Sequence, residues 1–156
     1  MRSRGFTLIE LVVTVAIVGL LASAAIPLVN LTMRREQESE LRAALREIRN
    51  AIDTYKQAAA DGHVEQAADA IGYPPNLQVL VDGVEDQRDP NKTRIYFLRR
   101  VPRDPLYPDS TAAAADSWGL RSYESPPDDP QPGDTVYDVY SLAPGKGLNG
   151  VPYREW

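Results

Sequence analysis

Glu10 is the only ionisable side chain between Phe6 and Met33. It heads a long apolar run, LVVTVAIVGLLASAAIPLV, at residues 11–29. An acidic side chain inside a membrane-spanning helix costs roughly 2.5–3.5 kcal/mol on insertion scales, so it needs a partner. No Lys, Arg or His stands in the run to supply one. The partner must be a chain terminus, a second subunit or a proton. The chemistry open to Glu10 is therefore pairing, not bond-making.

The other reactive groups are poorly placed for catalysis. His63 is the only histidine and sits beside Gly62 in a polar stretch. General-base or metal chemistry would need partners arranged around it. No HExxH, GxSxG or phosphate-cradling glycine loop occurs. Asp86 and Asp89, and the pair Asp128 and Asp129, lie among Pro, Gln and Gly, where turn chemistry accounts for them. His63 reads as incidental, and the chain reads as no enzyme. There is no cysteine, so neither a disulfide nor thiol chemistry is available. The net charge of −5 argues against a nucleic-acid surface, which needs a basic stripe.

Two helical halves must position Glu10. Residues 6–29 would span about 36 Å as a helix, enough for a hydrocarbon core of about 30 Å. Beyond it, Leu41, Leu45, Ile48, Ile52, Tyr55 and Ala59 recur at steps of four and three, one apolar stripe. The opposite face carries Glu38, Arg42, Arg46, Glu47, Arg49, Asp53 and Lys56. These are expected to be solvated, with subunit contacts as the alternative. Glu38 with Arg42, and Arg49 with Asp53, form i,i+4 pairs of about 0.2–0.5 kcal/mol each. Pro27 should kink or locally open the helix, and Asp61-Gly62 should end it.

All but one of the 13 prolines lie after Gly62. Residues 62–93 read as loop with one short helix at 75–81. Three β-like runs follow, at 94–99, 118–124 and 136–142, each aromatic or β-branched and flanked by Pro, Gly or Asp. Residues 112–115 are a spacer or helical turn. A sheet this small needs the amphipathic helix over its apolar face. The expected fold class is α+β: a long N-terminal α-helix, transmembrane half plus amphipathic half, packed on a small C-terminal antiparallel β-sheet of about three strands.

GFTLIE at residues 5–10, closing a short basic leader, resembles the class III signal of type IV pilin-like proteins. The resemblance implies peptidase cleavage between Gly5 and Phe6 and N-methylation of Phe6. It makes Glu10 the fifth mature residue and places Gly19 and Pro27 where the family has its helix-loosening Gly and Pro. An ordinary signal peptide would share Arg2, Arg4 and an Ala22-Ser23-Ala24 site, but it gains nothing from Glu10. Farther on, FLRRVPRDP (97–105), DSWGLRSY (116–123) and VYDVYSLAPGKGLNG (136–150) resemble the C-terminal half of major pseudopilins of type II secretion. The likeness covers residues 1–60 and 94–156.

That resemblance implies three segments: a leader at 1–5, a transmembrane and assembly helix at 6–29, and a periplasmic domain at 30–156. It implies a single-pass inner-membrane subunit that later enters a periplasmic filament. The expected partners are further copies of the chain, minor pseudopilins, the inner-membrane assembly platform, prepilin peptidase and membrane lipid, with no nucleic acid. In such a filament the new amine of Phe6 would meet Glu10 of a neighbour. Leaving either charge alone in an apolar core is expensive, so the penalty enforces register. The alternatives are another type IV pilus-like filament for adhesion, motility or DNA uptake, and an anchored binding domain that never polymerises and has no use for Glu10. Removing Arg2 and Arg4 would take the net charge from −5 to −7.

One departure concerns calcium, which the resemblance places in the loop after the last strand. Here that loop, SLAPGKGLNGVPYREW, holds Lys146 and Asn149 and no acid before Glu155. Calcium takes six to eight oxygens, several of them charged. A site built from Asp128, Asp129, Asp134 and Asp138 is the alternative to solvated turn aspartates. The expectation is no metal, with Tyr153 and Trp156 packing the chain end against the sheet in its place.

Overall fold

A computed structural model describes residues 7–66 and 71–156, without the side chains of residues 24–28. The cleavage and methylation positions Gly5 and Phe6 lie outside the described residues, as does the side chain of Pro27. The chain divides into two compact units, Met1–Gln37 and Glu38–Trp156. One helix, α1 (Leu8–Ala60), contributes to both and runs through Pro27 as a single element.

In the first unit α1 has no inward face. Leu8, Ile9, Leu11, Val12, Val13, Val15, Ile17 and Val18 are all exposed, on every side of the helix. A helix apolar all round belongs in an apolar surrounding.

In the second unit the expected stripe is the core. Leu41, Leu45, Ile48, Ile52, Tyr55 and Ala59 are all buried, joined by Ala44 and Ala51. The helix ends where Asp61-Gly62 was expected to end it. Gly62 has φ +78°, its amide donates to the Ala59 carbonyl, and the His63 amide donates to the Ala58 carbonyl. Those two bonds are a Schellman motif, with glycine in the left-handed position.

The short helix α2 spans Gln78–Asp82, three residues later than the expected start at Pro75. The Asn76 carboxamide oxygen accepts the Val79 amide at 2.9 Å and opens the turn. Leu77 and Leu80 anchor α2 in the core.

The expected single sheet of three strands is instead two separate antiparallel pairs. β1 (Val84–Glu85) pairs with β2 (Arg94–Ile95), and β3 (Trp118–Arg121) pairs with β4 (Asp138–Ser141). The run at 94–99 leaves its ladder after two residues because the Phe97 and Leu98 amides both turn to the Leu80 carbonyl. Residues 115–117 form a short 3-10 turn just ahead of β3.

Asp104, buried to 1%, ties the last segments together. Its carboxylate accepts the Ser141 hydroxyl at 2.5 Å and the Leu106 amide at 2.8 Å. Its own amide donates to Ser117 Oγ at 3.1 Å. The neighbouring Trp118 indole donates to the Pro102 carbonyl at 2.7 Å. A buried residue bonded this way through its carboxylate and its amide fixes three chain segments at once.

Gly119 stands opposite Tyr140 across β3 and β4. A Cβ built there overlaps the Tyr140 ring. Gly119→Ala should therefore lower stability by about 1–3 kcal/mol, at roughly 2–4 °C of Tm per kcal/mol. Thermal unfolding followed by tryptophan fluorescence checks this; an unchanged Tm would mean the ring does not rest on the strand.

Candidate assembly site and the loop that closes the domain

Glu10 sits in the first turn of α1 and has a partner within the chain. Its carboxylate Oε2 accepts the Thr7 amide at 3.5 Å, while its own amide donates to the Thr7 hydroxyl at 3.3 Å. This reciprocal pair is a capping box, which satisfies two helix-end donors. Anionic charge in a first turn is also favoured by the helix dipole. Sequence reasoning offered only a terminus, another subunit or a proton. The missed signal was present as T-x-x-E directly before an apolar run. Glu10 Oε1 makes no bond among the described residues. Thr14 returns its hydroxyl to the Glu10 carbonyl at 2.6 Å and so needs no other polar partner.

Gly19 is exposed, and a Cβ added there meets nothing within 4 Å. Packing within one chain gives no reason for glycine at this position. Small residues on such helices let a second helix approach closely.

The charged face of α1 departs from expectation at Glu38, Arg42 and Arg49. Glu38 is 4% exposed rather than solvated. Its Oε1 accepts the Leu148 amide at 2.8 Å and the Tyr153 hydroxyl at 3.1 Å. Arg42, expected beside Glu38, lies over the Trp156 ring at 4.2 Å. Arg49, expected to pair with Asp53, instead donates to Asp138 Oδ1 at 2.7 Å, to the Val139 carbonyl and to the Trp156 main-chain oxygen. Three side chains of α1 thus hold the loop after β4. Tyr153 and Trp156 do tether the chain end, in edge-on contact at 5.1 Å, but against the helix as well as the strand.

The carboxylates considered for calcium do not converge. Asp138 is engaged by Arg49 and Arg121, and Asp129 accepts from Gln131. Asp128 and Asp134 are exposed in turns. Among the described residues, no three Asp, Glu, His or Cys side chains gather as a metal site.

His63 has a structural task. Its Nδ1 lies 2.8 Å from Asp86 Oδ1, joining the end of α1 to the loop between β1 and β2. The His63 hydrogen bond, and next the Arg88 amide, hold the Asp86 carboxyl below its ordinary value. The contribution of this link is present above the usual carboxylate pKa and fades as pH falls through the lowered one.

Residues 1–26 match the model of the prokaryotic N-terminal methylation motif. The type II secretion system core protein G of Escherichia coli (strain K12) is 33% identical over 110 residues, 67% of this chain and 67% of that protein. The chain belongs to the type II secretion core protein G family. The core protein G of Dickeya chrysanthemi is 32% identical over 110 residues, 67% of this chain and 63% of its own length. The chain therefore spans about two thirds of the length of these relatives. The type IV major pilin protein PilA of Myxococcus xanthus is 36% identical over 74 residues, but that stretch is only 33% of PilA. No solved structure matches. Among the described residues no helix is long and apolar enough to cross a membrane, the described side chains of the apolar run stopping at Ser23. The methylation-motif match takes in Thr7, Glu10 and Gly19.

Proposed function

We propose that this chain is a structural, non-enzymatic subunit that polymerises into the periplasmic pseudopilus of a type II secretion system. Prepilin peptidase cuts between Gly5 and Phe6, and Phe6 is then N-methylated. The helix from Phe6 waits in the inner membrane as a single pass, with the domain in the periplasm. Further copies, minor pseudopilins and the inner-membrane assembly platform are its partners, and it needs no cofactor or calcium. The observation that carries this reading is Glu10 set by its capping box at the head of a helix apolar all round. In the bilayer the Thr7 amide spares the carboxylate from isolation. In the filament its open face takes the Phe6 amine of a neighbour, and the penalty for an unpaired buried charge fixes the axial register.

The PilA likeness supports a second reading, a different pilus-like filament, but it stops at 47% of the chain. The core protein G likeness, which covers 67% of the chain, favours the secretion filament.

Intact-mass analysis of the protein from membranes containing its own peptidase is the test. Loss of residues 1–5 with gain of one methyl group is expected. A full-length mass, or cleavage near Ala24, overturns the reading. Gly5→Arg should retain the leader, and normal processing of that variant would refute the assigned cut.

A further inference from the structure

Resting on the filament reading, the surface of α1 in the second unit names which faces of two copies meet. Glu40, Ala43, Ala44 and Glu47 fall at i, i+3, i+4 and i+7, one ridge of the helix. Arg42, Arg46 and Arg49 fall at i, i+4 and i+7 on the other flank of the buried stripe. Charges on a helix surface pair with residues three or four away. Glu40 finds Glu36, Gln37, Ala43 and Ala44 there, and Glu47 finds Ala43, Ala44, Asn50 and Ala51. Arg46 finds Arg42, Ala43, Arg49 and Asn50. None of the three has an opposite charge in reach on its own helix. All three are exposed, and none makes an ion pair or hydrogen bond among the described residues.

The acidic ridge also has room beside it. Glu40, Ala43, Ala44 and Glu47 form one wall of a groove of about 610 Å³, with Arg100, Pro102 and Arg103 on the far wall, where Arg103 is spent on the Ala112 and Asp109 carbonyls. Ala43, small and exposed, lets a second backbone come close, while Glu40 and Glu47 flank it. Arg100 opposite makes the groove unsuited to a uniformly basic ligand. It suits a helix of mixed sign, and α1 carries Arg46 next to Glu47.

We infer that the Glu40 and Glu47 ridge of one copy receives Arg46 of a second copy's α1. The two ridges differ, so the contact is heterologous, and in a pair one copy keeps its Arg46 ridge open and the other its acidic ridge. A contact of that kind adds copies without closing, as a filament requires. Exposed pairs of this sort are screened over a Debye length of about 8 Å at 0.15 M salt, so they select the neighbour and orient it more than they bind it.

A charge swap in the full chain, expressed with its secretion system, tests this. Arg46→Glu and Glu47→Arg should each lower sheared filament yield at least fivefold. The double variant, which restores opposite charges at positions 46 and 47 on every copy, should recover much of the parent yield. The chain has no cysteine, so crosslinking has no background. Oxidation of chains carrying Arg46→Cys and Glu47→Cys together should give a ladder of multimers, whereas either cysteine alone should give none. Dimers from one cysteine alone, or single reversals that assemble like the parent, overturn the inference and leave the filament reading standing. A parent chain that is processed but never forms filaments overturns both.

Discussion

Glu10→Leu is expected to insert into membranes at least as well as the parent and to leave the filament fraction nearly empty. The two halves of that result have different causes. Removing the carboxylate removes an insertion cost of roughly 2.5–3.5 kcal/mol. It also removes the acceptor of the Thr7 amide, but that amide lies at the helix end, and the Thr7 hydroxyl still caps Glu10's own position. In the filament the loss is larger. The Phe6 amine of each neighbour would be buried without a counter-charge, at about 3–5 kcal/mol per contact. At 1.4 kcal/mol per factor of ten, incorporation should fall at least a hundredfold. Glu10→Gln separates the two roles, since it keeps a capping oxygen and loses the charge. It should insert normally and still assemble poorly. Membrane and sheared fractions, compared by immunoblot, read both outcomes. A leucine variant that assembles and secretes like the parent would leave the register argument without support.

The part of the fold that was legible in the sequence is the part governed by local period. The stripe from Leu41 to Ala59 repeats at helical spacing, and every member is buried. Asp61-Gly62 reads as a stop because only a residue tolerant of positive φ completes the Schellman turn. The strands were legible as apolar runs but not as a sheet. Nothing local in residues 94–99 reveals that two successive amides turn to Leu80, because that carbonyl becomes available only when α2 ends beside them. The partner strand Val84–Glu85 is two residues long, too short for any alternation to show.

The charges were the least legible feature. Arg49 and Asp53 satisfy the i,i+4 rule, yet Arg49 finds Asp138, the Val139 carbonyl and the Trp156 oxygen 89 to 107 residues away. A rule written for an isolated helix weighs a gain of a few tenths of a kcal/mol. It has no term for a loop that arrives from the far end of the chain with unpaired carbonyls. Glu10 fails in the opposite direction. Its partner Thr7 is three residues away, and attention to the membrane cost hid the ordinary helix-start chemistry of T-x-x-E.

Glu38→Ala should be among the most destabilising single changes in the second unit, at about 2–4 kcal/mol. The cost has two parts. The Leu148 amide and the Tyr153 hydroxyl both donate to one buried carboxylate oxygen, and bonds to a charged acceptor are stronger than neutral ones. Truncation leaves the part-buried amide and the buried hydroxyl without that acceptor, and it opens space under the loop that Tyr153 fills. Glu38→Gln should cost less, since an amide oxygen can still accept from Leu148. Tm of the detergent-solubilised full chain, followed by fluorescence of Trp118 and Trp156, measures both. The same samples test the fastening of the last loop. A loop held by Glu38, Arg42 and Arg49 should melt at the same temperature with chelator as without, and added calcium should not rescue Glu38→Ala. A clear fall in Tm on chelation would mean that a cation, not the helix, holds the loop. A Glu38→Ala chain as stable as the parent would mean that Arg42 on Trp156 and Arg49 on Asp138 suffice alone.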